Sequence, residues 1–183
     1  MRTRYPVAKA QKDRYCQFMQ ILTHARIQAT IKRLALEIIE HNHREDALII
    51  LGINNNGFHF GKLLTEEIAQ LHDIPTTLSR LRINPAAPLS APVTLDLDIE
   101  SLRDRVVILV DDVANTGRTM FYAFAPLLGV LPKRVRVAVL VDRKHKHFPV
   151  DTDYVGLSLA TTLRETIDVR LRDVEEYGVY LVE

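Results

Sequence analysis

The stretch VVILVDDVANTGRT, residues 106–119, decides the fold of this 183-residue chain. Its first five residues are β-branched or leucine, which is typical of a strand buried on both faces of a parallel sheet. Asp111 and Asp112 follow, and the polar segment from Thr116 to Thr119 is typical of a turn that opens a helix. The first amides of a helix lack partners within it and bind anions. The stretch therefore predicts a strand, a pair of carboxylates and a phosphate-binding turn.

The residue types of this turn favour a sugar phosphate. Gly117 permits close approach or a left-handed backbone, two threonines supply hydroxyls, and Arg118 adds positive charge. Carboxylates beside a phosphate repel it, so we expect Asp111 and Asp112 to accept hydrogen bonds from hydroxyls of the attached sugar. Ribose 5-phosphate fits this arrangement. The alternative is a structural strand-turn-helix with surface aspartates, but adjacent carboxylates at the end of a buried strand are costly without partners.

The rest of the chain alternates between helical and strand patterns. Helices are predicted over about 23–41 and 58–71, and strands over 47–53, 76–83 and 135–142. The helix expected from 118 to about 128 contains Pro126, which predicts a kink or an early end. This alternation predicts an α/β fold with a doubly wound, mostly parallel sheet and a site at the carboxyl ends of its strands.

Composition limits the classes of protein to which the chain can belong. The residues are 47% hydrophobic and 26% charged, an ordinary mixture for one globular domain. Neither the Walker pattern GxxxxGK[ST] nor the dinucleotide pattern GxGxxG occurs. No apolar stretch approaches the roughly 18 residues of a membrane span, and no signal-peptide pattern is present. We therefore expect a cytoplasmic protein without membrane contact, whose single cysteine, Cys16, is a buried or incidental thiol.

Charge is concentrated at the N-terminus, although the net charge is only +1. Residues 1–20 are predicted to form a basic extension, and residues 21–183 the folded domain. The extension contains one acidic residue, Asp13, and five basic ones: Arg2, Arg4, Lys9, Lys12 and Arg14. Such a segment is a solvated tail, a strap between subunits or a contact for RNA.

The stretch 106–119 resembles the phosphoribosyl pyrophosphate (PRPP) motif of type I phosphoribosyltransferases. Within that family the likeness is greatest to the PyrR group, whose members combine uracil phosphoribosyltransferase activity with attenuation of pyrimidine operons. It extends from about Ile21 to Val182 and is carried by LALEIIEHN, LIILGINNNGFHFGKLLTEEI, VVILVDDVANTGRT and VRVAVLVDRKHKHFPVDTDYVG. The resemblance implies a flexible lid, a small hood, catalytic roles for Asp111 and Asp112, and Mg²⁺ that contacts them through ribose hydroxyls or water. The residues implied to bind PRPP are Asp111, Asp112, Val113, Ala114, Asn115, Thr116, Gly117, Arg118 and Thr119.

A second segment, GINNNG at 52–57, matches the pyrophosphate loop of the family. Its implied ligands are Ile53, Asn54, Asn55, Asn56 and Gly57. Asparagine amides are donors, and asparagine tolerates left-handed backbone angles. Related proteins usually place Lys or Arg in this loop, so the asparagines weaken the electrostatic grip on a leaving pyrophosphate. The alternative is an asparagine-rich turn without a ligand.

The lid and the hood are the remaining parts that the resemblance implies. The proline-rich loop 84–92 occupies the position of the lid, and Arg80, a further catalytic candidate, precedes it with Arg82. Two interpretations are open: the arginines close over pyrophosphate, or they are side chains of an edge strand that face solvent. The hood corresponds to 142–160, where the candidates for nucleobase binding are Asp142, Arg143, Tyr154 and Val155. Tyr154 stacks on the base or packs in the core, and the run RKHKH at 143–147 is interpreted as a solvated turn.

Asn115 bears on the choice of base. The 6-oxopurine phosphoribosyltransferases have an aspartate at this place, and an amide cannot handle the purine proton. Asn115 therefore argues against hypoxanthine and guanine, and the resemblance to the PyrR group favours uracil. The predicted function is transfer of the 5-phosphoribosyl group of PRPP to a nucleobase by a homodimer or higher oligomer. One alternative is an RNA-binding attenuator, with phosphate contacts from Lys32, Arg33, Lys133, Arg134 and Arg136. The other is a protein that binds PRPP without transfer.

Overall fold

A computed structural model describes residues 18–160 and 165–182. The predictions for Cys16 and for the basic side chains of the N-terminal extension lie outside these ranges. The described strands are β1 (Phe18–Leu22), β2 (Leu48–Ile53), β3 (Thr76–Arg82), β4 (Thr94–Leu95), β5 (Val106–Ala114), β6 (Arg134–Arg143), β7 (Tyr154–Leu159), β8 (Thr166–Arg170) and β9 (Gly178–Val182). The described helices are α1 (His24–Asn42), α2 (Asn54–Leu71) and α3 (Arg118–Ala123), with 3₁₀ turns at Ile99–Leu102 and Ala125–Gly129.

The main sheet has six strands in the order β4-β3-β2-β5-β6-β7. All neighbours are parallel except β3 and β4, which confirms the predicted α/β fold. β5 pairs with β2 only as far as Val110, opposite Gly52, but with β6 as far as Ala114, opposite Asp142. The last residues of β5 therefore extend beyond β2, beside the first turn of α2.

Helices cover both faces of this sheet, as predicted. Ile108 of β5 belongs to a core cluster that includes buried residues of α1 and α2. The next residue, Leu109, belongs to a second cluster that includes Met120 of α3. Successive side chains of a strand point to opposite faces, so α1 and α2 lie on one face and α3 on the other.

The observed element bounds agree closely with the periodicity except at the start of α2. α1 and β2 fall within one residue of their predicted limits. α2 was predicted from Phe58 but begins at Asn54, because Asn54 adopts a φ of 51° that turns the chain directly from β2 into the helix. The early end at Pro126 is confirmed: α3 stops at Ala123 and a 3₁₀ turn follows.

A small antiparallel sheet with the order β1-β9-β8 is separate from the main sheet in its hydrogen bonding, but Leu22 of β1 and Val179 of β9 share a core cluster with residues of β2 and β5. The prediction that 142–160 forms a hood is wrong, because β7 joins the main sheet by pairing in parallel with β6. The small sheet comes instead from both ends of the described chain. β1 begins at Phe18, so residues 18–20 belong to the folded unit and not to the extension to which the prediction assigned them.

Candidate active site

The acid pair, Asp111 and Asp112, lies near the carboxyl end of β5. The backbone N–H of Asp112 donates to Oδ1 of Asp111 at 3.0 Å. Oδ2 of Asp112 accepts a hydrogen bond from Nδ2 of Asn56, also at 3.0 Å. Burial raises the pKa of Asp111 well above its usual range, and the neighbouring Asp112 carboxylate raises it further. The site therefore combines a carboxyl group that resists ionisation with one that accepts a hydrogen bond from a neighbouring amide.

We expect Asp111→Asn to stabilise the ligand-free protein at neutral pH. A carboxyl with a raised folded-state pKa favours folding below its unfolded pKa of about 3.8, and this contribution is lost as pH rises through the folded value. The amide removes that loss, so the variant should gain about 1 kcal/mol at pH 7, the size typical of relieved charge strain. Thermal unfolding from pH 4 to 8, without Mg²⁺ or PRPP, measures this. If the gain in unfolding free energy does not shrink toward pH 4, the pKa of Asp111 is not raised in the folded protein.

The phosphate turn, residues 115–117, joins β5 to α3. Gly117 has a φ of 81°, a left-handed conformation that favours glycine. The N–H of Phe121 donates to the Gly117 carbonyl at 2.9 Å as the helix starts. Together with Asp111, all the residues predicted for this segment, 113–119, line one cavity of about 390 Å³. Asp111 also lines a neighbouring cavity of about 290 Å³ with Asp112 and the asparagines of α2.

The segment that follows β6 makes hydrogen bonds to backbone carbonyls in and next to the phosphate turn. The backbone N–H groups of His147 and Phe148 donate to the Thr116 carbonyl at 2.9 and 3.2 Å. Nζ of Lys146 donates to the Ala114 carbonyl at 3.1 Å and forms an ion pair with the buried Asp142. The interpretation of RKHKH as a solvated turn is therefore wrong for Arg143 and Lys146, which are buried and half-buried, whereas Lys144, His145 and His147 are exposed. His147 also lines the cavity of the phosphate turn.

The asparagine loop, Gly52–Gly57, lies at the carboxyl ends of the parallel strands, as the acid pair does. Two of its asparagines already have hydrogen-bond partners. Oδ1 of Asn54 accepts from the N–H of Ile83 at 3.0 Å. Nδ2 of Asn56 donates to Asp112, and the side chains of Asn55 and Asn56 are both exposed. The loop thus connects the acid pair to the strand that precedes the proline-rich loop.

Arg80 lies beside the asparagine loop and not in the cavities of the acid pair. It is in register with Gly52 across β2 and β3, and its guanidinium lies 4.2 Å from the centre of the Phe58 ring. It lines a third cavity, of about 490 Å³, with Asn54 and Asn55. Arg82 forms an exposed ion pair with Asp96 at 2.8 Å.

The proline-rich loop 84–92 contacts the first residue of α3. Nη2 of Arg118 donates to the carbonyl of Pro85 at 2.7 Å. Pro85 lines all three cavities described above. The start of the loop therefore lies where the phosphate, sugar and pyrophosphate positions would meet, which is consistent with the predicted lid.

The predicted nucleobase contacts divide into two groups. Tyr154 and Val155 are not at the site, because they begin β7 and pair with Ala138 and Val139 of β6, several residues before its carboxyl end. Tyr154 is fully buried, its hydroxyl accepts from Nδ2 of Asn42 at 3.2 Å, and burial raises its pKa. Their assignment to the base is therefore wrong, since the apolar environment of a core strand determines their positions.

The carbonyls of Val155 and Gly156 accept hydrogen bonds from within the fold. Nη2 of Arg33 donates to them at 2.8 and 3.0 Å. Asp142 and Arg143, in contrast, end β6 beside the phosphate turn. Both are buried; Asp142 pairs with Lys146, and Nη1 of Arg143 donates to Oδ1 of Asn115 at 2.6 Å.

We expect Tyr154→Phe to affect stability and not base recognition. Removing the hydroxyl deletes one buried hydrogen bond, and Asn42 keeps its bond to the Ile38 carbonyl at 2.7 Å. The free energy of unfolding should fall by about 1 kcal/mol, as for a typical lost hydrogen bond. Denaturant unfolding and the KM for the base measure the two effects. A marked rise in the KM for the base at unchanged stability would restore the tyrosine to the site.

The donor set at the acid pair suits Mg²⁺. This ion keeps several waters and is usually bound by one or two carboxylates together with substrate phosphates. Within 18–160 and 165–182 there is no group of three or more His, Cys, Asp or Glu side chains that could enclose a metal by itself. None of the helices in these ranges is long and apolar enough to cross a membrane.

Comparison with known proteins agrees with this geometry. A family described as the phosphoribosyl transferase domain matches residues 17–174. The chain belongs to the phosphoribosyl transferase family. The predicted family and phosphoribosyltransferase activity are thereby confirmed.

Curated relatives and solved structures extend this assignment. The bifunctional protein PyrR of Staphylococcus aureus strain bovine RF122 is 35% identical over 171 residues, covering 89% of this chain and 97% of that protein. The hypoxanthine phosphoribosyltransferase of Trypanosoma cruzi superposes with a TM-score of 0.74 at 18% identity, covering 90% of this chain and 97% of that one. That of S. aureus gives a TM-score of 0.65 at 18% identity, covering 79% and 80%. The structural neighbours support the fold of this phosphoribosyltransferase, not its base.

Several contacts of this phosphoribosyltransferase site were not predicted from the sequence. They include those of Lys146, of Pro85 and of the backbone of His147 and Phe148. The sequence did contain a signal for the contact of Lys146: Asp142, at the end of a buried strand, needs a partner, and Lys146 follows four residues later. Pro85 had none, because nothing in a proline-rich stretch indicates which residue will touch the site.

Proposed function

We propose that this phosphoribosyltransferase transfers the 5-phosphoribosyl group of PRPP to uracil and releases pyrophosphate. The observation that supports the proposal most strongly is one continuous cavity shared by Asp111 and residues 113–119. It combines a phosphate position with the Asp111 carboxyl group for sugar hydroxyls, and Asp112 lines the neighbouring cavity that Asp111 shares. The 35% identity to a PyrR protein supports uracil, through the resemblance described above.

The reaction is a displacement at the anomeric carbon of ribose. The bond from this carbon to a pyrophosphate oxygen breaks, its bond to N1 of uracil forms, and the N1 proton passes to solvent. Asp111 and Asp112 hold the ribose hydroxyls, residues 116–119 anchor the 5-phosphate, and Arg80 with Asn55 faces the pyrophosphate. Mg²⁺, held indirectly by the acid pair, would neutralise pyrophosphate charge. Catalysis then depends on positioning and charge stabilisation.

The setting we propose is a cytoplasmic homodimer or higher oligomer. Exposed apolar side chains follow α3, where Leu128 and Leu131 are 85% and 71% exposed, and they support self-association. Attenuation through RNA is the second candidate, prompted by the PyrR relatives. Its proposed cations are largely paired, Lys133 and Arg134 with Glu45 and Arg136 with Asp153, which reduces their attraction for phosphate.

A nucleobase panel with PRPP and Mg²⁺, followed by pyrophosphate release, tests the proposal. We expect uracil-dependent release and a PRPP-induced rise in Tm. PRPP stabilisation without product from any base would instead select a protein that binds PRPP only, an outcome consistent with the bonded asparagines of the pyrophosphate loop. Salt-dependent binding of pyrimidine-leader RNA would support attenuation, and no binding at low salt would exclude it.

A further inference from the structure

Three consecutive residues after β6 are bonded to the phosphate turn and to the residue before it. The backbone N–H groups of His147 and Phe148 donate to the Thr116 carbonyl at 2.9 and 3.2 Å. Nζ of Lys146 donates to the Ala114 carbonyl at 3.1 Å. Two carbonyl oxygens in this part of the chain are thus held by donors from a segment that is distant in sequence.

These contacts determine where the amide between Thr116 and Gly117 points. A peptide bond is planar and trans, so its N–H points away from its C=O. Because the Thr116 carbonyl faces the backbone of His147 and Phe148, the N–H of Gly117 faces the other way. Gly117 lines the cavity that would hold the 5-phosphate, and a backbone N–H directed into such a turn binds anions.

Lys146 is the charged residue of this segment that bonds to the turn region, and its ammonium group is engaged by the protein. Besides the Ala114 carbonyl, it donates to the Arg143 carbonyl at 3.3 Å and forms an ion pair with the buried carboxylate of Asp142. An ammonium group has three donors, and these three acceptors use all of them. Lys146 therefore acts on a ligand through the turn and not by direct contact.

We infer that Lys146 is a positioning residue for the 5-phosphate of the substrate. It joins the end of β5 to the end of β6 and thereby keeps the backbone amides that follow β5 in place for the phosphate. Its side chain also packs against the turn, since a Cβ at Gly117 would lie 3.5 Å from Cδ of Lys146. The inference rests on the proposed function, because that function puts the 5-phosphate in this cavity.

Lys146→Met tests this role, because methionine keeps much of the apolar side chain but cannot donate. The probe is ribose 5-phosphate, which carries the phosphate and the sugar without base or pyrophosphate. We expect its Kd, measured by titration calorimetry, to rise by about 10-fold, at the low end for a lost hydrogen bond to a charged group. The KM for uracil at saturating PRPP should keep its wild-type value, because the effect is confined to the phosphate position.

Lys144→Met is the matched control. Lys144 is exposed, and its Nζ lies 3.9 Å from Oδ2 of Asp142, beyond hydrogen-bond range. The substitution removes the same charge beside the same carboxylate but leaves the carbonyls of Ala114 and Thr116 with their donors. Ribose 5-phosphate should therefore bind to this variant as it binds to wild type.

A double variant, Asp142→Asn with Lys146→Met, separates positioning from neutralisation of charge. Lys146→Met alone removes the nearest ion-pair partner of a buried carboxylate, which destabilises the protein and lets the carboxylate repel the phosphate. The double variant removes that charge but does not restore the bond to Ala114, so the loss of ribose 5-phosphate affinity should remain. If Lys146→Met does not fold, the double variant decides.

Three results would overturn the inference. They are wild-type affinity for ribose 5-phosphate in the double variant, an unchanged Kd in Lys146→Met, and a KM for uracil that rises together with that Kd, which would indicate general structural damage. Each of them leaves the proposed function standing. Wild-type protein that shows no uracil-dependent release of pyrophosphate would overturn the proposed function instead.

Discussion

Replacing Asp112 with Asn is expected to lower kcat/KM for phosphoribosyl transfer by about 100- to 1000-fold, the loss typical when one preorganised electrostatic contact is removed. The amide still accepts from Asn56 through its oxygen, so the structural bond at 3.0 Å can persist. What disappears is the negative charge that, in the proposed complex, would face the ribose hydroxyls and Mg²⁺. The free energy of unfolding should therefore change by less than about 1 kcal/mol, as for other substitutions that keep local packing.

A matched substitution separates this loss from a general effect of charge. Asp73 is exposed and lies between α2 and β3, at the amino-terminal end of the parallel strands and so opposite to the acid pair. Asp73→Asn makes the same chemical change and should keep wild-type kcat/KM. Steady-state kinetics at saturating Mg²⁺, together with thermal unfolding of each variant, provide the comparison. Full turnover in Asp112→Asn would remove Asp112 from the mechanism.

The main sheet was predictable because its central strands are surrounded by apolar residues on both faces. Strands such as β2 and β5 are buried on both faces, so their sequences are continuous apolar runs bounded by polar residues. The small sheet was less predictable, because β8 consists of half-buried and exposed residues and gives no such run. β7 was misassigned for a related reason: a short segment that begins with a tyrosine suits either a core strand or a base-stacking surface, and only tertiary pairing decides between them.

The site was predictable where chemistry depends on consecutive residues. The acid pair and the phosphate turn are contiguous in sequence, so their arrangement follows from one strand and one turn. Contacts between distant segments were not predictable in the same way. The bonds of Asn56 to Asp112 and of Arg118 to Pro85 depend on where α2 and the proline-rich loop lie in space. Patterns within single segments do not contain that information.

The asparagine loop shows how this matters for function. From sequence, the three asparagines substitute for a cation that would hold pyrophosphate. In the structure, two of them instead brace neighbouring parts of the site, and Arg80 lies beside the loop on β3. Positive charge therefore lies beside the loop, on the neighbouring strand β3, where the proposed pyrophosphate would bind. The loop contributes mainly by fixing Asp112 and the strand that leads into the lid.

That bracing depends on close approach of α2 to β5, and Gly57→Ala is expected to disrupt it. A Cβ at Gly57 would lie 2.5 Å from the carbonyl oxygen of Val110 and 3.1 Å from both Cα and Oδ1 of Asp111. Because the nearest atoms are backbone, the first turn of α2 must move away from the sheet. The expected loss is about 3 kcal/mol of unfolding free energy, at the upper end for overpacked cores. For a domain of this size, that lowers Tm by about 6–12 °C.

Gly129→Ala is the matched control, because a Cβ at Gly129 meets nothing within 4 Å. Its stability should stay within about 0.5 kcal/mol of wild type. The displacement in Gly57→Ala also moves Asn56 away from Asp112, so transfer should fall even at temperatures where the variant remains folded. Kinetics well below the variant's Tm distinguish this local effect from global unfolding. A variant with wild-type stability and turnover would mean that α2 does not need to approach β5 this closely to build the site.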